Sequence, residues 1–156
     1  MPDVVTLRRI LDESRSVAVV GLSDKPHRPS HFVGKYLVDH GYEMIPVNPT
    51  RETILGRKSY PSLSAIGHPV DLVDCFRRAE EMPALAREAV EIGARVLWMQ
   101  LGVVSEEAAE IARAGGLEVV MDRCTKIEHA RIFGGLNWAG VNTGILSSRR
   151  ARRVNL

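Results

Sequence analysis

The 156-residue sequence predicts an α/β fold: a Rossmann-like, doubly wound, mainly parallel five-stranded sheet with helices on both faces. Three observations carry the prediction. Apolar runs of strand length alternate with amphipathic helical stretches up to about residue 133, and the connections between them are short. The strand runs, "VAVV" above all, are continuously apolar and β-branched instead of alternating, as expected of central parallel strands covered on both faces. Gly or Pro stands near most of the helix starts and stops, and right-handed crossovers between parallel strands then place helices on both sides.

The elements follow in order. Val4, Leu7 and Leu11 share one face, so residues 3–14 predict an amphipathic lead-in helix. "VAVVG" (17–21) predicts the first strand, and a helix near His31 carries Phe32, Val33, Tyr36 and Leu37 on one side before stopping at Gly41. "YEMIPVN" (42–48) predicts the second strand, with Pro46 and Pro49 marking its approach to a turn. A short strand is expected around "ILGRKSY" (54–60), a brief turn of helix after Pro61, and a strand in "VDLVDCF" (70–76). "PALAREAVEIG" (83–93) has Pro83 in the first helical turn, Leu85, Ala89 and Ile92 at helical spacing, and Gly93 as its end. The strand "RVLWMQLG" (95–102) leads into the helix "SEEAAEIARAGG" (105–116), with Ser105 as N-cap and two glutamates in the first turn. "LEVVMD" (117–122) closes the sheet.

Residues 1–133 thus form one domain, and 134–156 read as a Gly-rich extension with a basic tail, "SSRRARRVNL". Trp138, Val141, Ile145 and Leu146 of that extension can pack on the domain or on a neighbouring copy, which leaves a homo-oligomer open. Hydrophobic residues at 45% and charged ones at 26% are ordinary globular usage, which excludes disorder and fibrous repeats. Net charge is +2 with the basic excess crowded into the tail, so the body offers no broad footprint for nucleic acid. The opening "MPDVVTLRRILDESR" has no long apolar stretch, which argues against a signal peptide or membrane span and for a cytoplasmic protein. Cys75 and Cys124 lack metal-site spacing and are expected as reduced thiols.

Such a sheet binds ligands beyond the carboxyl ends of its strands, where the strand order reverses. In the first of those loops, "GLSDKPHRPS", the amides at the helix start and the helix dipole favour a phosphate. Gly21 lets the backbone come close, Ser23 adds a hydroxyl, Lys25 a point charge, Arg28 a forked donor, and Ser30 is positioned to cap the helix. A surface loop with solvated charges is the alternative, and this loop by itself does not separate the two. The second strand runs out into Val47, Asn48 and Pro49, without the carboxylate that a nicotinamide dinucleotide domain uses for its ribose hydroxyls. A ligand with an extra ribose phosphate avoids repulsion there, and Arg51, Arg57 and Lys58 supply positive charge nearby, unless they are simply solvated.

Taken together and in order, "VAVVGLSDKPHRPSHFVGKYL", "IPVNPT", "GRKSYPSL", "VDLVDCFRRAEEMP", "VLWMQLG" and "DRCTKIEHARIF" resemble the small stand-alone CoA-binding proteins. Those proteins are in turn similar to the CoA-binding domain of the succinyl-CoA synthetase α subunit. The resemblance implies a Rossmann-type fold holding coenzyme A, or a short acyl-CoA, in an extended pose across the strand ends. It implies that Gly21, Leu22 and Ser23 hold phosphate through backbone and hydroxyl, with Lys25 and Arg28 adding charge. By the same resemblance Val47, Asn48 and Pro49 line the adenine or ribose end, Cys75, Phe76 and Arg77 touch the nucleotide, and Gln100, Leu101 and Gly102 lie nearer the pantetheine arm. Phe76 also reads as the end of a buried strand, and the two roles are compatible.

The synthetase works with a phosphohistidine on a second domain and a nucleotide-carrying partner subunit, and this sequence shows room for neither. Among its five histidines only His129 follows a strand end, and it reads better as a satisfied surface or helix-end residue. Cys124, beside Arg123 and Lys126, is the candidate nucleophile or partner for a mixed disulfide with the CoA thiol, but with no base in sight it reads better as a buried structural thiol. The sequence therefore predicts a non-catalytic binder, carrier or regulatory protein, with no catalytic constellation and no metal site. Two alternatives stand beside it: an NAD(P)-dependent oxidoreductase, disfavoured by the missing acidic residue and substrate domain, and the CoA-binding component of a two-part acyl-CoA ligase.

Overall fold

Every residue of the run Ser16–Val20 is buried, which requires neighbours on both edges of the strand and cover on both of its faces. The computed structural model describes residues 2–134 and supplies both. In chain order the elements are α1 (Val4–Glu13), β1 (Ser16–Val20), α2 (Pro29–Asp39), β2 (Glu43–Val47), β3 (Thr53–Ile54), β4 (Arg57–Lys58), β5 (Leu72–Cys75), α3 (Met82–Glu91), β6 (Val96–Met99), α4 (Glu106–Ala114), β7 (Glu118–Val120) and α5 (Thr125–Phe133). Five strands form one sheet in the order β2-β1-β5-β6-β7, and every neighbouring pair is parallel. This is the Rossmann-like, doubly wound α/β fold that the sequence predicts. The order reverses between β1 and β5, and that reversal places the crevice.

The two faces bury different chemistry. On one, Leu7, Ile10 and Leu11 of α1, Val33 and Leu37 of α2 and Ile132 of α5 pack on Val17, Val19, Leu72, Val96, Trp98 and Val120. On the other, α3 and α4 meet the sheet and each other through Ala86, Ala89, Ala108, Ala109 and Ala112 against Ala18, Val73, Leu97 and Met99. Small side chains let those two helices approach closely.

Three details differ from the sequence expectation. The single strand expected around 54–60 is a tight antiparallel hairpin, β3 and β4, turning on Leu55 and Gly56 with φ of 54° and 73°. The chain just after it meets the main sheet at the bridge from Tyr60 to Val47; the sequence hides the hairpin because a Leu-Gly turn lacks the Asn or Asp that announces such turns. The second helix begins at Pro29 with Arg28 at its N-cap and no side-chain cap; Ser30 lies inside the first turn and caps nothing. The helix α5 gives little notice in periodicity, since Thr125 and Glu128 are buried on it alongside a single large apolar residue, Ile132. The Gly-rich extension and basic tail expected over 134–156 fall, beyond Gly134, outside the described residues.

Glycine is required where β1 ends. Gly21 has φ +88°, and a Cβ there would stand 2.4 Å from the carbonyl oxygen of Phe76. Gly41, after α2, has the same φ with nothing within 4 Å of a Cβ. Gly41→Ala should therefore cost only the left-handed backbone penalty of about 1–2 kcal/mol, whereas Gly21→Ala must also push β1 and β5 apart. Urea denaturation should rank Gly21→Ala well below Gly41→Ala in stability, and equal losses would contradict the close approach.

Candidate functional site

At the reversal point Phe76 N–H donates to Val20 O (2.8 Å) and Gly21 N–H donates to Val47 O (3.0 Å), so the ends of β2, β1 and β5 are bonded side by side. Above them opens a cleft of about 450 Å³ lined by backbone and side chains of three loops, among them Gly21, Ser23, Lys25, Arg28, Ser30 and Phe76. Asp24, Pro29, Thr50 and Arg51 complete the lining. The lining thus holds three cationic side chains, Lys25, Arg28 and Arg51, and one carboxylate, Asp24. The cleft has the character of an anion site at the start of a helix.

The loop is braced from within. Ser30 Oγ accepts from Ser23 N–H (2.9 Å), Ser23 Oγ accepts from Lys25 N–H (3.0 Å), and the His31 Nδ1 atom lies 2.9 Å from Ser23 O. Ser23 N–H and the Ser23 hydroxyl oxygen are therefore both engaged within the loop. Asn48 ties this loop to the next one: its Nδ2 donates to Leu22 O (2.9 Å), while its Oδ1 accepts from Thr50 N–H and Oγ1–H, both at 2.8 Å. Across the mouth, Arg51 Nε donates to Asp24 Oδ2 at 2.6 Å, and that hydrogen bond holds the Asp24 carboxyl below the usual carboxylate range.

Of the sequence-derived candidates, Gly21, Ser23, Lys25, Arg28, Ser30 and Phe76 come together at this cleft. Leu22 and Val47 are buried in the core and offer only backbone, and Asn48 spends its amide on Leu22 and Thr50. Pro49 is exposed and Arg77 half-buried, and neither lines the cleft. Gln100 and Gly102 lie along the same edge of the sheet, where Gly102 N–H donates to Asp122 Oδ1 at 2.7 Å. Phe76 packs on the core beneath and lines the cleft above.

The fold decides one group that the sequence leaves open and adds one that the sequence reading lacks. Arg51 and Thr50 are cleft-lining, which the spacing leaves ambiguous, and Asp74 is a carboxylate with no exposure at all. Its signal was available: an acidic residue inside the apolar run of a strand covered on both faces must have a partner. Asp74 Oδ2 lies 2.8 Å from Thr125 Oγ1, which is also 3.2 Å from Gln100 Oε1. Asp74 Oδ1 is enclosed and unpartnered. Burial pushes the Asp74 carboxyl up to about 8, with the Thr125 hydrogen bond opposing. One hydroxyl proton cannot serve both acceptors, so the consistent arrangement has Asp74 protonated and donating to Thr125, which donates to Gln100.

The other titratable groups sit away from the cleft. His129 is half-buried against α2, its Nδ1 2.8 Å from Tyr36 Oη, edge-on to His40 and Tyr42. Burial first, and then His40, lower it to about 4, so it is a satisfied packing residue on α5, half-buried between that helix and α2. Cys124 is half-buried at the N-cap of α5, packed against the core. Cys75 is fully enclosed, and burial pushes its thiol up.

Comparison with known proteins bears on all of this. Residues 15–130 match the CoA binding domain family. The uncharacterized protein YneT of Bacillus subtilis is 47% identical over 129 residues, spanning 83% of this chain and 96% of YneT. A hypothetical protein from Pyrococcus horikoshii superposes with a TM-score of 0.81 at 38% identity, covering 84% of this chain and 92% of that one. The dinucleotide-forming acetyl-coenzyme A synthetase 1 of Ca. Korarchaeum cryptofilum shares the fold, with TM-score 0.65 and 22% identity over 74% of this chain and 28% of the synthetase. Among the described residues no helix is long and apolar enough to cross a membrane.

Buried Asp74 and half-buried His129, which do not touch, give opposite pH dependences. Folded Asp74 keeps its proton up to about 8, whereas the unfolded side chain has lost it above about 3.9, so this contribution is lost as pH rises through the folded value. Folded His129 stays neutral down to about 4 while the unfolded ring charges below about 6.5, so stability is lost as pH falls across that window. The two offset each other in mild acid, and Asp74 alone acts between about pH 6.5 and 8. Denaturation free energies should fall over that interval by up to about 1.4 kcal/mol per pH unit, and Asp74→Asn should flatten the fall. A wild-type profile already flat there would refute a protonated Asp74.

Proposed function

The chain belongs to the CoA binding domain family, and from that premise we propose that it binds coenzyme A or a short acyl-CoA as a binding, carrier or regulatory protein without catalytic machinery of its own. The observation that carries this reading is the cleft at the β1/β5 reversal. Coenzyme A presents a diphosphate and a ribose 3′-phosphate, and Lys25, Arg28 and Arg51 ring a crevice whose floor is the Gly21 backbone and Phe76. Coenzyme A is longer than this cleft. With its diphosphate over the first loop, its pantetheine arm continues along the strand ends past Phe76 toward Gln100 and Gly102. Gly21, Leu22 and Ser23 then border the diphosphate, and Val47, Asn48 and Pro49 the adenylate end.

The residues also weigh against a nicotinamide dinucleotide. After β2 the chain continues as Asn48, Pro49 and Thr50, and the Asn48 side chain is already committed to Leu22 and Thr50. No carboxylate stands there to take the ribose diol. Arg51 answers an extra ribose phosphate instead, provided it leaves Asp24 or shares it.

Thermal-shift titration separates the candidates. A ligand at a hundredfold excess over its Kd, binding only the folded state, adds about 2.7 kcal/mol. Coenzyme A should give the largest shift, ahead of dephospho-CoA, NADP and ATP, and Lys25→Ala with Arg28→Ala should weaken it in a salt-dependent way. A largest shift with NADP would turn the reading to an oxidoreductase, and equal shifts with all four would reduce it to generic phosphate binding. Acyl-CoA formation only in mixture with a co-purifying nucleotide-binding protein would make the chain one component of a ligase.

A further inference from the structure

Among the described residues lining the cleft, three side chains carry the charge that suits a phosphate and one, Asp24, carries the charge that opposes it. Its place is fixed from two sides. Ser23 Oγ accepts from Lys25 N–H at 3.0 Å, which closes a small turn around Asp24, and Asp24 Oδ2 accepts from Arg51 Nε at 2.6 Å. Arg51 is anchored as well: its Nη1 donates to Thr50 O (2.9 Å), and Asn48 Oδ1 holds Thr50 by its N–H and its hydroxyl. The guanidinium therefore meets a carboxylate at the cleft before any ligand arrives.

A bracing role does not account for this pair. Its side chains are 45% and 38% exposed, and in water such a pair adds little to stability. The two loops are already joined by the neutral bond from Asn48 to Leu22. What the pair does change is the charge of the lining. Its one negative charge goes to Arg51, while Lys25 and Arg28 form no salt bridge with a described residue. An arriving anion must displace Asp24 to reach Arg51. A carboxylate or a phosphodiester, each with one negative charge, exchanges like for like and leaves Asp24 unpaired beside a second anion. A phosphomonoester carries about −1.5 to −2 at pH 7 and three acceptor oxygens, so it attracts the guanidinium more strongly than Asp24 does.

We propose that Asp24 is a specificity-determining residue, an internal anion that occupies Arg51 in the empty cleft and gives way to a phosphomonoester but not to a singly charged group. The proposal rests on the coenzyme A reading, where the ribose 3′-phosphate is the monoester and each phosphate of the diphosphate is singly charged. It adds to that reading the residue that tells the two apart.

Calorimetric titration with three ligands that differ only at the ribose tests this: dephospho-CoA, with hydroxyls; its 2′,3′-cyclic phosphate, a singly charged diester; and coenzyme A, a monoester. On wild type the cyclic ligand should bind no better than dephospho-CoA, and coenzyme A should bind more tightly than both. Asp24→Asn keeps the shape and removes the competing charge, so the cyclic ligand should gain about fivefold, the upper range for an exposed ion pair, while dephospho-CoA stays where it was. A wild type that already prefers the cyclic ligand to dephospho-CoA, or an Asp24→Asn variant that leaves it unimproved, overturns the charge selection. Equal gains for all three ligands overturn it too, by reducing Asp24 to general repulsion. In each of these cases coenzyme A still binds and the coenzyme A reading stands; failure of wild type to bind any of the three overturns both. Should Asp24→Asn not fold, wild type suffices. Its Arg51 Nε–H NMR signal, identified by its loss in Arg51→Lys, should move with coenzyme A and hold still with the other two ligands, and a signal that coenzyme A leaves in place refutes the displacement.

Discussion

The ends of β1 and β5 lie against each other only because Gly21 carries no side chain. Its Cα passes so near the Phe76 carbonyl that a Cβ would be 2.4 Å away. Once the two strand ends are this close, their following loops diverge to opposite faces of the sheet, and a crevice opens at the divergence. The cleft is therefore a consequence of chain topology and one missing methyl group, and the cationic side chains decorate a cavity that the backbone has already made.

Holding that cavity in shape falls to neutral hydrogen bonds. Ser30 on Ser23, and Asn48 on Leu22 and Thr50, join the loops after β1 and β2 without using the charges of Lys25 or Arg28. A loop preorganised in this way loses less entropy when an anion arrives. The exposed pair of Arg51 and Asp24 is different in kind: partners on two loops bordering one cleft, worth little to stability in water, yet close enough to trade for a ligand's phosphate.

A second polar system links the other end of the sheet edge to its last helix. Trp98 Nε1 donates to Arg123 O, Arg123 N–H reaches Met99 O, and Gly102 N–H reaches Asp122. With Asp74, Thr125 and Gln100 between them, the loops after β6 and β7 are fastened together along the strand ends. Such a network is costly where incomplete, and its incompleteness is confined to Asp74 Oδ1 and Arg123 Nε among the described residues.

What the sequence determined by itself is the part governed by local rules. Continuous β-branched runs cannot be half-exposed, so "VAVV" had to be a central strand covered on both faces, and with the alternating helices that indicated the layers and the loop that carries Lys25 and Arg28. Local rules failed where a residue's role depends on what crosses it from elsewhere in the chain. Ser30 had the chemistry of a cap, and the fold turned it to Ser23. The Leu55-Gly56 turn and α5 carried weak propensity and were fixed by packing. Arg51 was one of three equivalent cations until the fold set it opposite Asp24, 27 positions away. Thr125, 25 positions from Gln100 and 51 from Asp74, takes both as partners, because hydrogen bonds are directional and only tertiary structure brings a distant donor within reach of its acceptor.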